Sequence, residues 1–284
     1  MTAVRMDGKE LAAKVRAEVA GEVAALGHVG LATVLVGDDP ASHVYIASKH
    51  KAATEAGIDA RDIRLPAETS EEDVLALVER LNHDDEVDGI LVQLPLPAQI
   101  DETKVTYAVA PAKDVDGFHP VNAGNLYLGT PIHVPATPSG CMELLRAYGI
   151  DPKGKEAVII GRSEIVGRPM AMLLMHAHAT ITVCHSRTVD LPAHVRRADI
   201  VVAAVGIPGI VTADMVQPGA ACLDVGLTRT EEGIRGDIDP GVEEIAGFLT
   251  PMPGGTGPMT IAMLLQSTLK AARYRRGLLA FPGS

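Results

Sequence analysis

Glu156-Ala157-Val158-Ile159-Ile160-Gly161-Arg162-Ser163-Glu164-Ile165-Val166-Gly167-Arg168-Pro169 is the stretch on which the fold turns. Residues 156–160 end in an apolar, β-branched run suited to a buried strand. A glycine stops the run, and Pro169 opens a helix expected to reach Ala177. Strand, glycine turn and helix in that order make a phosphate-binding corner. Glycine lets the backbone approach a pyrophosphate, and the helix N-terminus supplies N–H groups and positive potential. The turn departs from the common G-x-G-x-x-G: Ser163 replaces the second glycine, and Gly167 comes one residue late. Alone it is also compatible with a plain strand–helix corner. Beyond Ala177 the chain restarts the same alternation: strands over 180–184, 199–205 and 220–225, and a short helix over 191–197. That is a βαβ series of dinucleotide-binding type. The candidate cofactor-binding residues at the corner are Gly161, Arg162, Ser163, Val166, Gly167 and Arg168.

The end of the next strand discriminates between cofactors. A site for NAD usually places an acid there to hold the ribose 2′-hydroxyl. Here the strand ends Cys184-His185-Ser186-Arg187-Thr188, with no acid. Serine and arginine suit a 2′-phosphate, and Arg162 is placed to join them. The expected cofactor is therefore NADP, with His185, Ser186 and Arg187 in its pocket.

Upstream, the same alternation implies a second parallel α/β unit. Residues 7–26 carry Leu11, Val15, Val19 and Val23 at helical spacing. A strand over 31–36 and the turn Gly37-Asp38-Asp39-Pro40 lead into a helix of about four turns that reaches Gly57. Tyr45 and Lys49 share one face of that helix. A phenol and an ammonium so placed can flank a planar ligand, although a lone Tyr-x-x-x-Lys is more often a solvated lysine beside a half-buried tyrosine. A further strand is expected over 58–65, and a helix over 70–81 with Ser70 as its N-cap. Asp88-Gly89-Ile90-Leu91-Val92-Gln93-Leu94-Pro95-Leu96-Pro97 then reads as a buried strand ending in a polar glutamine. Ligands gather at the carboxyl ends of such strands, where Gln93 lies and the Tyr45/Lys49 helix begins. Residues 111–135, rich in Pro, Gly, Asn and His, read as ordered loop, and Thr137-Pro138-Ser139 as the cap of a helix to Tyr148. The last helix is expected from about Pro258 to Arg275, after Pro253-Gly254-Gly255-Thr256-Gly257.

Composition excludes other classes. A formal charge of −11, with no Lys/Arg run, argues against a nucleic-acid surface. No apolar run approaches a membrane span and the N-terminus has no signal-like segment. Cys141, Cys184 and Cys222 are odd in number and far apart, as buried thiols in a reducing compartment are. A cytoplasmic protein is expected. Asp114-x-Asp116 is a possible magnesium pair, although loop acids more often cap turns. There is no H-E-x-x-H, His176 and His178 cannot share a helix face, and no ATP-type phosphate loop is present, so no metal site is expected.

Together these residues resemble the bifunctional methylenetetrahydrofolate dehydrogenase/methenyltetrahydrofolate cyclohydrolase family. The matching segments are 36–51, 88–97, 113–126, 161–169, 185–188 and 253–260, which span nearly the whole chain. The resemblance implies a two-domain α/β fold. Residues 1–138 would form a folate-binding catalytic domain, completed by a returning helix over 259–284. Residues 139–258 would form a Rossmann-like NADP-binding domain with a mainly parallel sheet. It also implies a homodimer acting on tetrahydrofolate derivatives. By position Lys49 would be the catalytic lysine, Tyr45 its pterin-stacking neighbour and Gln93 the group that orients it. Asp116 would bind the pterin's N–H groups, and Gly254 and Gly255 would line the folate cleft. Thr256 stands where the family commonly has valine, and its hydroxyl needs a partner if buried.

The implied activity is oxidation of 5,10-methylenetetrahydrofolate with NADP, then hydrolysis of the methenyl product to 10-formyltetrahydrofolate. Two alternatives share the layout. An amino-acid or shikimate-type dehydrogenase is opposed by segments 88–97 and 253–260. A catalytically silent NADP-binding regulator is opposed by the intact Tyr45, Lys49, Gln93 and Asp116.

Overall fold

The computed structural model describes residues 2–38, 40–231 and 233–281. Asp39 of the turn before the Tyr45/Lys49 helix and residues 282–284 of the last segment lie outside the described residues, as do the side chains of residues 40–44. The chain opens with β1 (Val4–Arg5) and α1 (Gly8–Leu26), and it divides into two compact units. One unit holds residues 13–136 and 261–281, the other residues 2–12 and 137–260.

The first unit is built on a three-stranded parallel sheet. Its elements are β2 (Gly30–Val36), α2 (Pro40–Glu55), β3 (Asp59–Leu65), α3 (Glu71–His83) and β4 (Gly89–Val92), with strand order β3-β2-β4. The central strand β2 is buried along its whole length, as its run of apolar side chains, broken only by Thr33, requires. Edge strand β3 carries Asp59, Arg61, Asp62 and Arg64 and is only half buried. Charges on an edge discourage pairing with another chain. Ser70 caps α3 through the Asp73 N–H, and Val74, Leu77, Val78 and Leu81 pack that helix against Ala32, Val34, Ile90 and Val92.

Helix α5 (Pro120–Leu128) stands where the sequence reads as loop, and α4 (Glu102–Ala108) precedes it in a stretch to which the sequence reading assigns no element. Asp101 caps α4. For α5 the ring of His119 accepts the Val121 N–H, Pro120 opens the helix, and Gly129 at φ 82° ends it. The capping signals are all local; the density of Pro, Gly and Asn around them obscured a helix of nine residues.

The second unit contains α6 (Ala136–Ala147), β5 (Glu156–Ile160), α7 (Gly167–His176), β6 (Thr180–Cys184), α8 (Leu191–Val195), β7 (Ile200–Ala203), β8 (Ala221–Asp224), β9 (Thr228–Thr230), β10 (Gly233–Arg235) and β11 (Phe248–Leu249). Its six-stranded sheet, order β1-β11-β8-β7-β5-β6, is parallel at every pairing, and β9 and β10 form a separate antiparallel hairpin. Because Val4 and Arg5 pair with Phe248 and Leu249, the opening residues fall in this unit rather than with the three-stranded sheet. Their pairing is with a two-residue strand far away in sequence, which no local pattern announces. Thr137 and Pro138 lie inside the first turn of α6 rather than before it, a position where proline forfeits no helical hydrogen bond. Helix α7 stops at His176, and His178 lies beyond it at φ 66°. All three cysteines are buried, Cys184 and Cys222 within the apolar core of this sheet. The long helix α9 (Thr256–Arg275) comes last, most of it counted with the first unit.

Candidate active site

Helix α2 leaves the carboxyl end of β2, and Gln93 follows the carboxyl end of β4, its N–H donating to Val34 O at 2.9 Å. These two placements bring Lys49 and Gln93 together: Lys49 Nζ donates to Gln93 Oε1 at 3.2 Å. The Gln93 amide is itself held, its Nε2 donating to Leu94 O at 2.9 Å. Lys49 Nζ also lies 4.4 Å from the centroid of the Tyr45 ring, the cation–π geometry expected one helical turn apart. Lys49 is only 6% exposed. Burial pulls its pKa below the ordinary lysine value, and the Asp116 carboxylate pushes the other way. A neutral glutamine oxygen orients the ammonium without locking its charge.

The two acids of Asp114-x-Asp116 have different surroundings. Asp114 is buried and works as a brace. Its carboxylate accepts the N–H groups of Gly117 at 3.1 Å and His119 at 2.8 Å, and Asn122 Nδ2 at 2.8 Å. This is turn-capping, and it gives no support to a magnesium pair. Asn122, which the sequence does not single out, completes the brace by also donating to Pro111 O. Its partners lie eight and eleven residues away, so no short motif marks it. Ile90 bridges Asp114 in parallel, so Asp116, two residues on, emerges at the same end of the sheet as Gln93. Asp116 is partly exposed, and its carboxyl is pushed up to about 6, first by desolvation. The Lys49 charge opposes that rise and Asp114 adds to it. Four side chains from three separated segments thus share one end of a small sheet. They offer a flat ring, a movable proton and a carboxylate.

In the second unit the glycine corner has the stereochemistry a dinucleotide requires. Gly161 has φ 122°, and a Cβ there would lie 2.5 Å from Ala204 O. A Cβ on Gly167 would lie 2.3 Å from Gly161 O, so the late glycine lets α7 pack onto the turn. Ser163, in place of the second glycine, braces the turn that leads into that helix: its Oγ accepts the N–H groups of Val166 and Gly167 at 3.2 and 3.3 Å. Arg168 is paired with Glu164 at 2.8 Å. At the end of β6 the His185 ring accepts the Arg187 N–H at 3.1 Å, and the Thr188 hydroxyl accepts the His185 N–H at 2.8 Å. This closed turn holds Ser186 and Arg187 exposed, and Arg162 is exposed on the glycine corner. A close backbone approach, a helix N-terminus and exposed cationic and hydroxyl groups beside it fit a dinucleotide carrying a 2′-phosphate.

The Pro253–Thr256 segment is tightly packed within the same unit. A Cβ on Gly255 would come within 2.6 Å of Thr250 Cβ, and Gly254 has φ 114°. Both glycines are therefore demanded by the protein's own backbone path. Thr256 is buried, and its hydroxyl donates to Asp224 O at 2.9 Å, which supplies the partner it needs.

The family model for the tetrahydrofolate dehydrogenase/cyclohydrolase catalytic domain matches residues 6–116, and that for the NAD(P)-binding domain of the same family matches residues 135–276. A bifunctional protein FolD from Acidiphilium cryptum is 57% identical over 279 residues, covering 97% of this chain and 100% of its own. The solved structure of the bifunctional enzyme FolD, methylenetetrahydrofolate dehydrogenase/cyclohydrolase, from Campylobacter jejuni matches with a TM-score of 0.95 at 47% identity, covering 96% of this chain and 99% of that one. The Trypanosoma brucei methylenetetrahydrofolate dehydrogenase-cyclohydrolase, solved with NADP cofactor and an inhibitor, matches with a TM-score of 0.92 at 39% identity, covering 99% and 100%. The chain belongs to the tetrahydrofolate dehydrogenase/cyclohydrolase family.

Proposed function

We propose that the unit containing Lys49 binds the folate and the unit containing Gly161 binds NADP, and that Lys49 moves the proton in the hydrolytic step. The protein is a bifunctional NADP-dependent methylenetetrahydrofolate dehydrogenase and methenyltetrahydrofolate cyclohydrolase. It oxidises 5,10-methylenetetrahydrofolate to the 5,10-methenyl cation, then hydrolyses that cation to 10-formyltetrahydrofolate. Bound NADP supplies the hydride acceptor for the first step. The chain's own work there is positioning. Tyr45 offers its ring to the flat pterin, and Asp116 accepts the paired donors of the pterin's amino and ring N–H groups. Arg162, Ser186 and Arg187 take the 2′-phosphate, and the Gly161 corner takes the pyrophosphate.

The second step needs a base near the attacking water. A desolvated lysine next to a cationic substrate is suited to it, because both influences favour the neutral amine. Lys49 takes a proton from water as oxygen attacks the methenyl carbon and returns it to the departing nitrogen as the carbon–nitrogen bond opens; the remaining hydroxyl proton leaves to solvent as the formyl carbonyl forms, since a cation is converted to a neutral product. Gln93 keeps the amine aimed throughout. The observation that carries this assignment is the contact set of Lys49: buried, 3.2 Å from Gln93 Oε1, 4.4 Å from the Tyr45 ring and coupled to Asp116. A solvated surface lysine would have none of these. As part of the same proposal the protein works in the cytoplasm as a homodimer, without nucleic acid or membrane. Its charge of −11 and the lack, among the described residues, of a helix long and apolar enough to cross a membrane support the last two points. A shikimate-type or silent role is not favoured, because the match to bifunctional relatives covers 96% of the chain at 55% identity.

The test is to mix protein, 5,10-methylenetetrahydrofolate and either NADP or NAD, and to follow methenyl absorbance. Rise and decay with NADP, and a much slower rise with NAD, is the expected result. A rise with no decay beyond the spontaneous rate would remove the hydrolytic role of Lys49.

A further inference from the structure

Two buried carboxyl groups in the second unit take no part in the chemistry above. Asp237 is fully buried and Asp224 is 2% exposed. One oxygen of Asp237, Oδ2, accepts both the Val205 N–H at 2.6 Å and the Gly206 N–H at 3.0 Å. Asp224, the last residue of β8, accepts the Asp237 N–H at 2.9 Å and the Ile238 N–H at 3.1 Å. Each acid therefore ties down a loop at the carboxyl end of the sheet. Neither carboxyl group is in an ion pair among the described residues. The remaining oxygen of Asp237, Oδ1, is buried with no hydrogen-bond partner. It faces Gly226 in the loop after β8, where a Cβ would lie 2.0 Å away.

Strand order says what lies over these loops. The sheet runs β8-β7-β5-β6. The 2′-phosphate end of the cofactor belongs at β6 with Ser186 and Arg187, and the pyrophosphate at the Gly161 corner after β5. The other half of the dinucleotide must then extend over the ends of β7 and β8. Residues 204–206 adjoin the Gly161 corner directly: Ala204 N–H donates to Ile160 O at 2.8 Å, and Ala204 O is the atom a Cβ on Gly161 would strike. By that order the nicotinamide half would lie above the segments that the two acids hold. With the N–H groups of Val205 and Gly206 turned inward to Asp237, that loop withholds two donors from phosphate and has a buried carboxyl group behind it.

We infer that Asp237, with Asp224 beside it, is an electrostatic positioning element that favours the oxidised, positively charged nicotinamide over the neutral reduced ring. The inference rests on the NADP assignment above and names residues that the assignment does not use. Burial pushes the Asp224 carboxyl up to about 7, so near neutral pH it is part protonated and serves mainly to hold the Asp237 and Ile238 N–H groups. Asp237 carries the test because an amide is nearly isosteric with its carboxyl group. In Asp237→Asn the carbonyl oxygen replaces Oδ2 and keeps both N–H bonds, while the amide nitrogen takes the position of the unpartnered Oδ1.

The experiment measures dissociation constants of NADP+, NADPH and adenosine 2′,5′-bisphosphate for wild type and Asp237→Asn by calorimetry. Wild type should bind NADP+ more tightly than NADPH. The variant should bind the bisphosphate within about twofold of wild type, while the preference for NADP+ falls about tenfold. That is the scale of one unit charge about 10 Å away at an effective dielectric of about 20. An unchanged NADP+/NADPH preference in a variant that still binds the bisphosphate would overturn the inference. A wild-type preference for NADPH would overturn it whether or not the variant folds. Failure of wild type to bind the bisphosphate would instead strike at the NADP pocket itself.

Discussion

Replacing Lys49 by Met keeps most of the side chain's bulk and removes only its charge and its proton. The consequences can be worked out from its contacts. Hydride transfer moves no proton through a side chain, whereas hydrolysis needs a proton acceptor beside the attacking water. General acid–base catalysis is worth about 10²–10⁴-fold, so cyclohydrolase activity should fall by that range. Dehydrogenase activity should fall less, and methenyltetrahydrofolate should accumulate. Stability should move the other way. The Lys49 pKa is lowered by burial, so between the folded value and the ordinary 10.5 the unfolded chain binds more protons. At neutral pH the buried ammonium therefore weighs against the fold, and methionine removes that penalty. A third consequence is electrostatic. The Lys49 charge holds the Asp116 carboxyl down towards about 6, so its removal should move the acid limb of folate binding to higher pH. The assay pairs rates of methenyl formation and decay, corrected for spontaneous hydrolysis, with urea unfolding at pH 7. Hydrolysis at the wild-type rate would refute the assignment. A loss of both activities together with a collapse in stability would show that Lys49 serves the fold.

Three further outcomes are expected. Arg187→Ala should cost about 1.5–3 kcal/mol of NADP affinity through a lost charge-assisted contact, with NAD affinity little changed, read by calorimetry. Wild-type folate affinity should rise as pH increases through about 6, where Asp116 ionises, and Asp116→Ala should lower that affinity and flatten its pH dependence while leaving adenosine 2′,5′-bisphosphate binding unaltered. Thr256→Val should lower stability by about 1 kcal/mol in urea unfolding, because the Asp224 carbonyl loses its buried donor, and should leave both activities within about twofold.

Much of this protein is determined locally. The β-branched run before Gly161, the apolar run of β2 and the Ser70 cap each follow from short-range rules, and so the sequence supports two parallel α/β units. Tyr45 and Lys49 meet because an α-helix places residues four apart on one face, which needs no tertiary information. The lack of an acid after β6 is likewise visible in five letters. Tertiary structure decided the rest, because the forces involved join residues that are distant in the chain. Gln93 reaches Lys49 across 44 positions through the pairing of β4 with β2. The bridge between Asp114 and Ile90 brings Asp116 out at that same end. Asp114 and Asp116 are close neighbours in the chain and have opposite duties, one buried among N–H donors and the other partly open. Val4 and Arg5 become a sheet edge only because Phe248 and Leu249 offer unpaired backbone groups. The network of Asp224, Asp237, Thr250 and Thr256 joins four separate segments. Desolvation and hydrogen-bond satisfaction depend on what surrounds a group in space, and for these side chains the surroundings exist only once the sheets have formed.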